Sequence, residues 1–173
     1  MTKRNLGLAL LIFSTALAVG CGVDSSKKRS SGGSAAAAVT TNTAPVTTNT
    51  VNQTVQTGTS GNDVLTGTAQ ADILDGADGD DTINALEGDD LLIGGAGSDM
   101  LDGGDGEDTA SYAGSALAVT VDLNTGIGTG GDAAGDTLNF VENLIGSDQD
   151  DTLTGADAVA NVIEGGAGAD SID

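Results

Sequence analysis

A chain of 173 residues with a formal net charge of −21 is sized for one domain plus appendages. All five basic residues (Lys3, Arg4, Lys27, Lys28, Arg29) precede residue 30, whereas of the 26 acidic residues only Asp24 does; nothing in the main domain can neutralise phosphate, which excludes nucleic acid and anionic membrane surfaces as its partners. There is no His and a single Cys, Cys21, so HExxH zinc sites, His-dependent nucleophile arrangements and disulfides are excluded too, and no enzyme is expected.

Residues 1–20 open with Lys3 and Arg4, run through an apolar stretch over 6–19 and end at Gly20, beside Cys21. A basic n-region, a short h-region and a small residue at the cut mark a secretory leader, too short to span a bilayer comfortably. The tetrad Ala18-Val19-Gly20-Cys21 resembles the lipobox of bacterial lipoproteins. That resemblance implies that Cys21 is acylated as the first mature residue and anchors the chain, at the outer membrane if the envelope is Gram-negative. The alternative is an ordinary leader with a chance Cys. Residues 21–57 are built from Ser, Thr, Asn, Ala and Gly with one Pro (Pro45) and no alternation that holds a strand. This is the composition of a disordered linker, with a reach of about 30–36 Å.

From 58 to 111 the chain repeats itself every nine residues: GTSGNDVLT, GTAQADILD, GADGDDTIN, ALEGDDLLI, GGAGSDMLD, GGDGEDTAS. Such a period fits neither a heptad nor the 3.6 of a helix, and self-similarity at fixed period outranks other signals. The sixth position is always Asp (Asp63, Asp72, Asp81, Asp90, Asp99, Asp108), and the eighth is Leu, Leu, Ile, Leu, Leu and Ala. The first six residues of a unit suit a tight turn, with Gly supplying backbone freedom at Gly61, Gly76, Gly79, Gly88, Gly94, Gly95, Gly97, Gly103, Gly104 and Gly106. The last three form a short strand whose middle residue faces one side. Turns and strands then stack into a coil with aliphatics inside and Asp along the bends. Carboxylates and carbonyls converging at each bend are the donor set of a hard cation, and Ca²⁺ tolerates their irregular geometry better than Mg²⁺. With only Tyr112 and Phe140 as aromatics beyond the leader, the core is thin, and metal must supply folding energy that burial cannot.

The units resemble the hemolysin-type, or RTX, nonapeptide G-G-x-G-x-D-x-U-x, best at 94–102 and 103–111, and 111–153 resembles the carboxy-terminal domain of serralysin-type secreted metalloproteases. The resemblance covers residues 58–173. It implies an all-β, parallel β-roll with two nonapeptides per coil and Ca²⁺ between the turns of units n and n+2.

Beyond the repeats, 112–145 is expected to be degenerate coil, with strands at 118–123 and around 138–141 and a Gly-rich loop at 125–135. Residues 146–154 restore a unit with Asp151, 155–164 offers Asn161 where Asp is expected, and 165–173 is again a unit with Asp170. No capping end is visible, so self-association through the roll end, or cover by an extracellular matrix partner, is an expectation. The functional expectation is a non-enzymatic Ca²⁺-dependent roll, displayed on a lipid anchor at the cell surface or outside the cell. The alternative is a fragment of a larger secreted hydrolase or toxin, with the roll as its folding and export module.

Overall fold

The computed structural model describes residues 53–157 and 159–173. The leader, Cys21 and the linker as far as residue 52 lie outside the described residues. Within them the architecture is two sheets of very short strands facing each other across one core. The first sheet runs β1 (Val55–Thr57), β3 (Ile73–Asp75), β5 (Leu91–Ile93), β7 (Thr109–Ser111), β11 (Asn143–Ile145) and β13 (Ile163–Glu164). The second runs β2 (Val64–Thr66), β4 (Thr82–Asn84), β6 (Met100–Asp102), β10 (Thr137–Asn139), β9 (Ile127–Thr129), β8 (Thr120–Asp122), β12 (Thr152–Thr154) and β14 (Ser171–Ile172).

Successive repeat strands alternate between sheets, so each pairs in parallel with the strand two units on. Leu65 aligns with Ile83, then Leu101, then Leu138 in one sheet. Leu74 aligns with Leu92, Ala110, Leu144 and Ile163 in the other. Two nonapeptides therefore make one coil of a parallel β-roll. A three-residue strand offers a single inward position, and it is the eighth of each unit that fills it. Leu74, Ile83, Leu92, Leu101, Leu144 and Leu153 are wholly or almost wholly buried, each contributing about 1.5–3 kcal/mol. A sheet closed along its length by such ladders satisfies its backbone internally, and only the two ends present open edges.

The roll begins earlier than the repeat pattern implies. Residues 55–57, expected to be linker, form β1 and pair with β3 in register. Thr54 and Gln56 stand at the sixth and eighth positions of a unit lacking both Asp and aliphatic, which is why the pattern fades there. At this end polarity is useful: the Gln56 side-chain amide donates to the Thr66 carbonyl at 2.7 Å, covering the first core layer.

The segment 112–145 is not coil throughout. β10 and β11 continue the roll, joined by the shortened turn 140–142, and β8 pairs in parallel with β12. Residues 120–129 form an antiparallel hairpin, β8 and β9, inserted between β10 and β12. Its bend is set by Asp122, whose Oδ1 accepts from the amides of Asn124 and Thr125, and Gly126 there is left-handed. The Gly-rich stretch expected to be loop thus contains a strand. Its inward residue is Gly128, because Ala133, fully buried in the 3-10 turn Gly131–Ala133, fills the space a side chain would take.

Candidate metal centre

The bends lie in two columns, one on each flank of the roll. Turns 58–63, 76–81 and 94–99 stack on one flank, and turns 67–72, 85–90 and 103–108 on the other. Within a column each Asp is tied to the next: Oδ1 of Asp81 accepts from the Asp63 amide at 2.7 Å, and Oδ1 of Asp99 from the Asp81 amide at 2.8 Å. On the opposite flank Asp90 holds the Asp72 amide at 2.6 Å and Asp108 the Asp90 amide at 2.9 Å. The ladders run on into residues the repeat pattern does not single out. Asp136 Oδ1 accepts from the Asp99 amide at 2.8 Å, and Glu142 Oε2 from the Asp108 amide at 3.0 Å. Beyond the inserted hairpin, Asp151 Oδ1 holds the Val119 amide and Asp170 Oδ1 the Asp151 amide.

In five of the six repeat carboxylates one oxygen is left over. Oδ2 of Asp81, Asp90, Asp99 and Asp108 is buried with no hydrogen-bond partner, as is Oδ1 of Asp63. A buried, unpartnered carboxylate oxygen is among the most expensive groups a protein can carry, and a counter-cation relieves it directly. Burial pushes the carboxyls of Asp90 and Asp108 up to about 6 and that of Asp99 up to about 7, and neighbouring carboxylates add to the effect. Asp81 is raised by the same causes.

The space around these oxygens is built for a cation. A Cβ added at Gly76 would abut Asp81 Oδ2 and approach the Gly94 carbonyl to 2.6 Å; at Gly103 it would abut the Phe140 carbonyl and approach Asp108 Oδ2 to 2.6 Å. At Gly94 it would abut Asp99 Oδ2. At these Gly positions the first residue of the unit is thus a cradle lined by oxygen that a side chain would fill, whereas Ala85 already places a buried methyl there. Among the described residues no three Asp, Glu, His or Cys side chains converge into a metal site by themselves. Each turn brings one or two carboxylates, and carbonyls must complete the shell. Many neutral oxygens around few carboxylates suit Ca²⁺, which takes about 6–8 oxygen ligands in flexible geometry.

The family model of the RTX calcium-binding nonapeptide repeat matches four stretches, residues 57–92, 75–110, 136–159 and 156–173, together just over half of the chain. The chain belongs to the RTX calcium-binding nonapeptide-repeat family. Calcium is the ion its turns bind. A comparison with curated proteins found no match.

In this RTX roll the six repeat Asp residues are all brought to the flanks and are buried, Asp151 likewise, whereas Asp170 sits half-exposed in the last coil. Gly95 and Gly104, at the second position, are left-handed, with φ of 96° and 99°; Gly79, Gly88, Gly97 and Gly106, at the fourth, have φ between 122° and 159°. Gly76, Gly94 and Gly103 line the oxygen cradles. Gly61 meets open space and has no positive φ, so no steric demand holds Gly there. Its turn is the first of its column among the described residues. Cys21 lies outside the described residues. Asp136 could have been found from its Asp-Thr-Leu echo of 151–153, but Glu142 carried no signal, since its unit has lost most of its turn. Asn161 takes the expected place below Glu142, donating its side-chain amide to the Glu142 carbonyl at 2.6 Å.

Proposed function

We propose that this chain is a non-enzymatic, calcium-dependent β-roll, exported and held at the bacterial surface by a lipid on Cys21, where it serves as a structural or adhesive module. The observation that carries the reading is the set of buried, partnerless oxygens on Asp81, Asp90, Asp99 and Asp108. A fold with this debt is complete only where calcium is plentiful, which is outside the cell, and affinity in the weak extracellular range of about 10⁻⁴–10⁻³ M suffices there. Among the described residues no helix is long and apolar enough to cross a membrane, and the anchor on Cys21 supplies the attachment. Several acyl chains on one residue hold stably where a single chain does not.

Cell fractionation of the full chain and of Cys21→Ser tests the anchor. The parent chain is expected with membranes, and the variant as a soluble or unprocessed product. Equal release of both as soluble protein would remove the lipid anchor from the account and leave the calcium roll standing.

A further inference from the structure

The turns of this roll are of two kinds, and the second residue of the unit separates them. In turn 58–63 the amide and hydroxyl of Thr59 donate to Asp63 Oδ2 at 2.5 and 2.8 Å. In turn 67–72 Thr68 does the same for Asp72 Oδ2 at 2.6 and 2.9 Å, while Asp72 Oδ1 accepts from the Thr54 amide. In turn 146–151 the Ser147 amide reaches Asp151 Oδ2 at 2.6 Å and its hydroxyl reaches Oδ1 at 2.8 Å. The three turns begin Gly-Thr, Gly-Thr and Gly-Ser, and none of their second residues has a positive φ.

Where the second residue lacks a hydroxyl, the turn differs. Ala77, Leu86, Gly95 and Gly104 all have φ between 74° and 99°. A left-handed residue turns its amide away, so the Asp is offered neither N–H nor O–H. These are the same turns whose Asp81, Asp90, Asp99 and Asp108 keep a partnerless Oδ2. That an Ala and a Leu tolerate a conformation that disfavours side chains points to a requirement of the turn itself, not to a convenience of Gly.

We propose that the second residue selects the ligand of Oδ2 of its Asp: Thr59, Thr68 and Ser147 occupy that oxygen with protein donors, leaving Oδ1 of Asp63 as the one partnerless oxygen of these three carboxylates, and turns 76–81, 85–90, 94–99 and 103–108 leave it open to Ca²⁺. Among the described residues, turns 58–63 and 67–72 are the first Asp-bearing turns of their columns and turn 146–151 is the first after the inserted hairpin; Asp72 and Asp151 hold the amides of Thr54 and Val119 on their outer side. The ion-bearing stack is thereby given a metal-independent start at each place where it begins. Turn 165–170 is of the open kind by its Gly166, with φ of 90°, but Asp170 is half-exposed and water can serve it. This rests on the reading of the roll as a calcium binder and says which turns do the binding.

Titration calorimetry with CaCl₂ on the full chain tests it, with folding at saturating calcium checked by far-UV circular dichroism. Thr68→Gly unseals turn 67–72 and is expected to gain about one ion per chain, and Thr68→Ser, which restores the hydroxyl, to bind as the parent does. Ala77→Thr supplies the sealing hydroxyl to turn 76–81 and is expected to lose about one ion. Unchanged stoichiometry in Thr68→Gly and Ala77→Thr, with a parent that binds calcium, overturns the sealing rule alone. A parent that takes up no calcium overturns both the rule and the function on which it rests. If Thr68→Gly does not fold at saturating calcium, Ala77→Thr decides: a lost ion supports the rule and an unchanged count ends it.

Discussion

The Tyr112 hydroxyl donates to Asp136 Oδ2 at 3.0 Å, deep in the roll. Asp136 otherwise repeats the arrangement of the Asp residues above it, with Oδ1 on the preceding Asp amide, and its Oδ2 is the oxygen that in Asp81 and Asp99 has no partner. Tyr112 follows β7 at the place where Gly58, Gly76 and Gly94 follow β1, β3 and β5, so an aromatic ring stands where the earlier coils have a cradle. A phenol takes the part of the cation, just where the hairpin interrupts the column. Burial and the adjacent carboxylate raise the Tyr112 hydroxyl well above its ordinary range and keep it a donor.

Tyr112→Phe therefore keeps the packing and removes only the donor. It is expected to destabilise the calcium-loaded roll by about 1–3 kcal/mol, the penalty of leaving a buried acceptor unsatisfied. Denaturant unfolding at saturating calcium measures it; an unchanged midpoint would mean that Asp136 is served by water.

Acid and calcium should compete for the same oxygens. In the metal-free roll, burial raises Asp90, Asp108 and Asp136 to about 6 and Asp99 to about 7 from 3.8. A folded-state pKa above the unfolded value stabilises the fold fully below about pH 4, and that contribution is lost as pH rises through about 6 to 7. Metal-free chain is thus expected to be more compact near pH 4 than near pH 8. With calcium the trend reverses, because protons must leave before the ion binds: the midpoint should rise about tenfold per unit of pH below about 6. Calcium titrations at several pH values check the second trend and light scattering in chelator the first.

Leu86 is strained. Its φ is 80° and its side chain is 41 % exposed, so it contributes little burial to offset a conformation that costs an L-residue about 1–2 kcal/mol. Leu86→Gly relieves that strain against a loss of about 0.5–1 kcal/mol in unfolded-state entropy. The net expectation is a gain of up to about 1 kcal/mol with calcium stoichiometry unchanged, read from thermal unfolding at fixed calcium. A loss of stability would show that the exposed leucine packs more than its accessibility indicates.

Much of this was legible because one unit encodes one turn and one strand. The sixth and eighth positions alone locate the buried Asp ladder and the aliphatic core from Leu65 to Leu101. What stayed hidden depends on partners distant in sequence. β1 was invisible because Thr54 and Gln56 hold the register without the residues that announce it. β9 carries no strand signal because its inward residue is Gly128, whose place is filled by Ala133 from the next turn. Glu142 sits at a sixth position only after residues have been deleted from its turn. The hydroxyls of Thr59, Thr68 and Ser147 look like ordinary turn residues until their distances to Asp63, Asp72 and Asp151 are known.

Calcium's part in folding is tested most directly by far-UV circular dichroism of the full chain, titrated from excess chelator to millimolar CaCl₂ at neutral pH. Five buried carboxylates with a partnerless oxygen in a thin aliphatic core predict a largely unfolded spectrum in chelator and a cooperative rise of β structure with calcium. A β-rich spectrum already complete in chelator, and unmoved by the ion, would contradict the account.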